Sequence, residues 1–251
     1  EGEARGLRAF HYLDLLRLWG PIYSQDSTKA CIPYREKFNS DSAPLMAANE
    51  VMKRIIADLK QAEELLKNDP MNYERVADEP FVGARKYRMN KYAVKAMLAR
   101  AYLYAGNKAQ AARYAREVIN GSGLRLARDN REDVSLYEET LFALSMYNME
   151  EKLSAYWKDG SNFDTQYYIS RSNISSGFEI NEGIGLNDMR YRSNYGFIHT
   201  SGNLFLCRKY LGSGLYGENI PLIRLSEMYY ILAESVDLSE CGQYINAVKN
   251  A

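Results

Sequence analysis

Apolar residues fall into helical periods at both ends of the chain and lose that order between them. Near the start, Leu7, Phe10, Leu13 and Leu16, widened by Ala9, Tyr12, Leu15 and Trp19, predict a buried helix from about Glu3 to Trp19. Gly20-Pro21 stops it, and Trp19 is expected in the core. Asp41 or Ser42 is read as the cap of a second helix with Pro44 in its first turn. Its apolar stripe runs through Ala48, Val51, Ile55, Leu59, Ala62 and Leu66, and Asn68-Asp69-Pro70 ends it.

After a polar, irregular stretch from Asn72 to Met89, Asn90 is placed to cap a third helix carrying Val94, Met97, Leu98, Ala101 and Tyr102. Gly106-Asn107 breaks it, and a fourth follows with Ala111, Ala112, Ala115, Val118 and Ile119. So short a joint folds two amphipathic helices back as a hairpin. Residues Glu139 to Tyr147 predict a strand, and Asn148 to Asn219 reads as a long loop region rich in Gly, Ser, Asn and Tyr. The rings scattered through that region argue against disorder. Pro221 is read as opening a last strong helix with Leu222, Leu225, Met228 and Leu232, and a weaker helical piece covers Tyr244 to Ala251.

Composition removes several function classes. Lys plus Arg equals Asp plus Glu at 32 each, which leaves no basic excess for a polyanion and argues against nucleic acid as a partner. Two histidines far apart, no nucleophile motif and no singled-out carboxylate pair speak against an enzyme, so no catalytic residue, cofactor or metal is assigned. Cys31, Cys207 and Cys241 have no metal-knuckle spacing and read as incidental thiols. No run of apolar residues is long enough to span a membrane, and no signal peptide is read within these residues. The opening residues read as the first turn of a helix, so further sequence is expected upstream, and the end at Ala251 reads as a cut.

Two motif matches give way to simpler explanations. Gly212-Ser213-Gly214-Leu215-Tyr216-Gly217 spells a dinucleotide fingerprint, but Pro221 delays the next helix and no parallel strand accompanies it. Asp159, Ser161, Asn162 and Asp164 collect oxygen ligands without the spacing of a calcium loop and read as a solvated turn. Asp14 with Arg17, and Arg224 with Glu227, read as ion pairs one helical turn apart.

The informative stretch is the aromatic one. Sugar rings expose apolar C–H faces on which flat rings stack, while Asn, Asp and Arg bond the hydroxyls. On that chemistry the candidate ligand-binding residues are Trp157, Tyr156, Asn162, Asp164, Tyr167, Tyr168, Arg171 and Tyr191. Trp157 leads, because Lys158-Asp159-Gly160 beside it reads as an exposed turn.

The helical hairpin is similar to a tetratricopeptide repeat in the order of Leu98-Ala99, Tyr102, Gly106, Ala111, Ala115 and Val118, with Tyr102 expected to fill the gap between hairpins. Residues Gly2 to Pro21, Asn219 to Glu234 and Ile245 to Lys249, with Asn187-Asp188-Met189-Arg190, resemble motifs of the SusD/RagB family in the right order. The resemblance implies a mainly α fold of tetratricopeptide-like helical hairpins, with a small β element and long aromatic-rich loops. Residues 1–251 would form a single SusD-like domain, with scaffold at 1–120 and 220–251 and a ligand-binding insert at 121–219. It further implies a lipid-anchored protein on the outer face of an outer membrane, its anchor outside this sequence. Such a protein delivers oligosaccharides to a SusC-like TonB-dependent transporter. A RagB-like peptide binder and a helical-repeat scaffold for protein partners are the alternatives.

Overall fold

Short joints, cap residues and the reach of apolar side chains lay out this computed structural model. It describes residues 1–71, 73, 84–127, 133–157, 167–188, 191, 196–200, 202–207 and 217–250, without the side chains of 154–157 and 187. The chain divides into two compact units, Glu1–Leu124 with Ile223–Asn250, and Arg125–Leu222. Eight helices and seven short strands among the described residues make the fold mainly α.

The first unit is helical. Helices α1 (Gly2–Trp19) and α2 (Ala48–Leu65) pack together, α3 (Lys91–Tyr104) lies on α2, and α4 (Lys108–Gly121) folds back on α3. Helix α7 (Leu225–Ser235) packs on α4, and α8 (Leu238–Lys249) on α7. The core is the expected stripe of each helix, with Leu13, Leu16, Ile55, Leu59, Val94, Leu98, Ala111, Ala115 and Val118 all inaccessible to solvent. Where α1 crosses the segment before α3, Gly6 lets the backbones close, since a Cβ there would lie 2.5 Å from Met89 Cγ.

Trp19 is not in this core; it is 64% exposed. At about 100° per residue, the end of α1 has rotated off the line of Gly6, Ala9, Leu13 and Leu16, and Trp19 faces outward with Leu18. The expected apolar face of α1 is accordingly narrower than eight residues.

Helix α2 begins at Ala48 rather than at Asp41 or Ser42, because Met46–Ala47 form strand β2 against β1 (Ala30–Ile32). Carbonyls of the preceding loop cap it: Ala48 donates to Lys29 O at 3.1 Å and Asn49 to Ser27 O at 2.8 Å. The α3–α4 hairpin follows its sequence signals. Asn90 Oδ1 accepts from the amides of Tyr92 and Ala93, Asn107 Oδ1 accepts from Gln110, and Gly106 turns the chain at φ +80°. Asn90 Nδ2 also donates to Arg85 O at 2.9 Å, in a site closed to solvent. Asn90→Ala is expected to cost about 2 kcal/mol, the upper end for a cap, while Asn90→Asp recovers part of it in urea melts. Tyr102 does not fill a gap between hairpins; it stacks on Tyr114 within its own, ring centroids 5.8 Å apart and 7° from parallel.

Two polar networks fasten α1. Arg8 donates twice to Asp58 on α2, and Tyr34 and Arg5 donate to the same carboxylate. In the second, Glu3 accepts from Arg85 at 2.8 Å and from Arg88 at 2.9 Å, while Arg85 also holds Asp69 at 2.7 Å. Asp14 and Arg17 pair at 3.6 Å as expected, but Glu227 pairs with Arg100 of α3 and not with Arg224. Arg224 lies outside α7, as its N-cap, so the one-turn spacing never forms.

Pro221 sits in strand β7 (Asn219–Arg224), and α7 opens at Leu225. A two-stranded sheet with β3 (Thr140–Ser145) leaves β7 an edge strand, where a proline without an N–H is tolerated. Helix α8 starts six residues before the segment read from sequence, at Leu238, where packing on α7 overrides the interior Gly242.

The second unit is not the plain loop region expected of 148–219. It contains helices α5 (Met149–Trp157) and α6 (Arg171–Gly177), as well as β3 and a three-stranded antiparallel sheet. In that sheet β6 (Leu204–Cys207) lies between β4 (Tyr168–Ser170) and β5 (Phe197–His199). Strand β3 falls within the strand read over Glu139 to Tyr147, whereas the other elements are too short to show a period in sequence. Asp133, buried, anchors the turn before β3 by accepting from the amides of Tyr137 and Glu138 and from the Ser135 hydroxyl.

Candidate functional site

The three-stranded sheet sorts the candidate residues by face. In β4 and β6, Tyr168 pairs with Leu206, Ile169 with Phe205 and Ser170 with Leu204. Alternation therefore puts Tyr168, Ser170 and buried Leu206 on one face, and Ile169 and Phe205 on the other. Arg171 continues the second face, with its guanidinium 5.5 Å above the Phe205 ring. His199 meets Phe205 edge-on at 5.0 Å, and Phe178 meets Phe197 at 6.0 Å. Tyr191 joins through Phe178 at 5.8 Å. Arg171 and Tyr191 thus belong to the aromatic side of the sheet, whereas Tyr168 faces away from it.

Helix α6 supplies the polar wall. Ser170 Oγ accepts from the Asn173 amide at 3.2 Å and lies 2.9 Å from Ser172 Oγ. Ile174, 2% exposed, fixes which side of the helix is inward. Ser172, Ser175, Ser176 and Glu179 follow at helical spacing on the other side. At the helix exit Glu179 takes φ +50°, a left-handed conformation held as Ile180 donates to Ser175 O at 2.9 Å. Asn203 arrives from the turn between β5 and β6, its carbonyl accepting from the Arg171 amide at 2.8 Å. Together with Arg171 and Glu182 these groups line a cleft of about 720 Å³ whose described lining side chains are all polar.

Of the described residues read from sequence, only Arg171 lines this cleft. Tyr167 is 64% exposed beside β4. Tyr156 and Trp157 end helix α5 rather than standing on a turn, and their side chains fall outside the described residues. Asn162 and Asp164 also lie outside the described residues, as do Asp159 and Ser161 of the proposed solvated turn and Gly212 to Tyr216 of the fingerprint. Ser172, Ser175, Ser176 and Glu179 escaped the sequence reading. Their signal was a polar helical stripe opposite Ile174 and Phe178, in a segment too short to register as a helix.

Among the described residues no group of three His, Cys, Asp or Glu side chains is placed to hold a metal ion. All three cysteines are free, and none of the described helices is long and apolar enough to cross a membrane.

No family model and no curated protein matches the chain. Solved structures do. A SusD-like carbohydrate-binding protein from Bacteroides vulgatus is similar at TM-score 0.67 and 20% identity, over 99% of this chain and 53% of that one. A SusD superfamily protein from Bacteroides thetaiotaomicron gives 0.67 at 20% identity, over 98% and 57%. A laminarin-binding SusD-like protein gives 0.64 at 18% identity, over 99% and 62%. The chain thus spans little more than half the length of these proteins, and with nearly all of that span it adopts the SusD-like fold.

Proposed function

We propose that this chain is part of a non-catalytic, cell-surface nutrient-binding protein that captures oligosaccharides. The observation that carries the reading is the polar cleft beside Arg171 in the second unit of a SusD-like fold. The proteins of that fold named above include carbohydrate and laminarin binders. Hydroxyls, amides and a guanidinium around an open depression match the surface of a sugar, which presents hydroxyls in several directions. Tyr156, Trp157, Tyr167 and Tyr191 are the proposed stacking faces, and Asn162, Asp164 and Arg171 the hydrogen-bonding groups.

In this reading the first unit is the scaffold and residues 121–219 carry the ligand. The captured glycan passes to a SusC-like TonB-dependent transporter, and the protein is held at the outer membrane by a lipid anchor outside this sequence. Calorimetric titration of the full chain with plant and host polysaccharides and with a peptide digest tests the reading. Saturable glycan binding that weakens at least tenfold in Trp157→Ala is expected. Glycan binding that survives intact in the variant moves the stacking face elsewhere, and binding of peptides alone overturns the reading in favour of peptide capture.

A further inference from the structure

We propose that the α6 cleft selects uncharged, hydroxyl-rich sugar units and discriminates against uronic and other acidic sugars. This rests on the reading of the chain as a glycan binder and adds the class of glycan. Each sugar hydroxyl both donates and accepts one hydrogen bond, so a pair of vicinal hydroxyls is matched by a donor and an acceptor side by side. The cleft supplies that combination: Arg171 only donates, Glu179 and Glu182 only accept, and Ser175 and Asn203 do both. Bonds from hydroxyls to these charged groups are the stronger kind.

The charges settle the class. Among the described lining residues, one guanidinium and two carboxylates give a net charge of about −1 when all three are ionised. Arg171 is also held over Phe205, 5.5 Å from the ring centre, which fixes where its donors lie. A ligand carboxylate reaching Arg171 therefore enters beside two like charges, whereas a neutral diol uses the donor and the acceptors together. Among the described residues the lining offers no apolar side chain to an apolar ligand.

The test is a glycan array followed by calorimetry on the full chain, with neutral laminari-, cello- and xylo-oligosaccharides set against oligogalacturonates and alginate oligosaccharides. The expected result is that the tightest ligand is neutral and binds at least tenfold more weakly in Arg171→Ala. The double substitution Glu179→Gln with Glu182→Gln raises uronate affinity by about fivefold to tenfold in low salt, and the gain fades as salt screens the cleft. Ser176→Trp, which fills the cleft from an exposed position, serves as a second blocking variant, with the melting temperature showing that each variant folds.

A uronate bound as tightly as the best neutral glycan overturns the class assignment. Neutral-glycan binding untouched by both Arg171→Ala and Ser176→Trp overturns the cleft as the site while the glycan-binding reading stands. Binding of no glycan in either set sinks that reading and this inference with it.

Discussion

Removing the Asp58 carboxylate is expected to destabilise the protein by about 3 kcal/mol, the cost of breaking a largely buried ion pair from one side. Asp58 is 5% exposed and accepts from Arg8, Arg5 and Tyr34, so three donors on α1 and the following loop lose their common acceptor at once. Tyr34 suffers most. It is 6% exposed, stacks on Tyr12 at 4.0 Å, and has no water to replace the lost bond. Burial, with Asp58 next to it, pushes the Tyr34 hydroxyl well above its usual pKa and keeps it a donor.

The loss carries a pH signature. Burial alone would raise the Asp58 pKa, but hydrogen bonds from Arg8 and Tyr34 outweigh it and hold the carboxyl below its ordinary value of 3.8. A depressed folded pKa stabilises fully above the unfolded value, and that stability disappears as pH falls through the folded one. In urea titrations from pH 7 to pH 2, the gap between the wild type and Asp58→Asn should therefore be constant above about pH 5 and shrink below pH 4. A gap that ignores pH would show that Asp58 acts by shape and not by charge.

The second large effect is at Arg100 and Glu227, which join α3 to α7 in a two-pronged pair at 2.6 and 2.7 Å. Burial opposes the Arg100 charge, and the bonds to Glu227 overcome that penalty. Without Glu227, Arg100 is a poorly hydrated charge beside the Phe10 ring and the Met97 sulfur. Glu227→Ala is expected to cost about 3 kcal/mol, whereas Arg100→Leu with Glu227→Leu stays within about 1 kcal/mol of the wild type. Chemical denaturation of Arg100→Leu, Glu227→Leu and the double variant closes the cycle. Additive losses would mean that the two side chains stabilise independently.

The sequence by itself determined the helices with strong periods and proper stops. The core stripes of α1 to α4, the Asn90 cap and the Gly106 turn rest on interactions within a few residues, and such interactions are legible in a linear pattern. The motifs at the two ends were specific enough to name a fold that solved structures share. Nearness in sequence also picked out Arg171, which lines the polar cleft.

Tertiary structure decided what depends on partners far along the chain. Strand pairing with β1 claims Met46 and Ala47 and delays α2, and an edge position in β7 accepts Pro221. Glu227 reaches across to Arg100, 127 positions away, in place of its local neighbour. In the cleft, strand alternation parts Tyr168 from Arg171, although they are three residues apart, and the hairpin turn returns Asn203 to the start of α6. Elements of three to seven residues carry too little period to be read in isolation, and only their hydrogen-bonded neighbours fix which way each side chain faces.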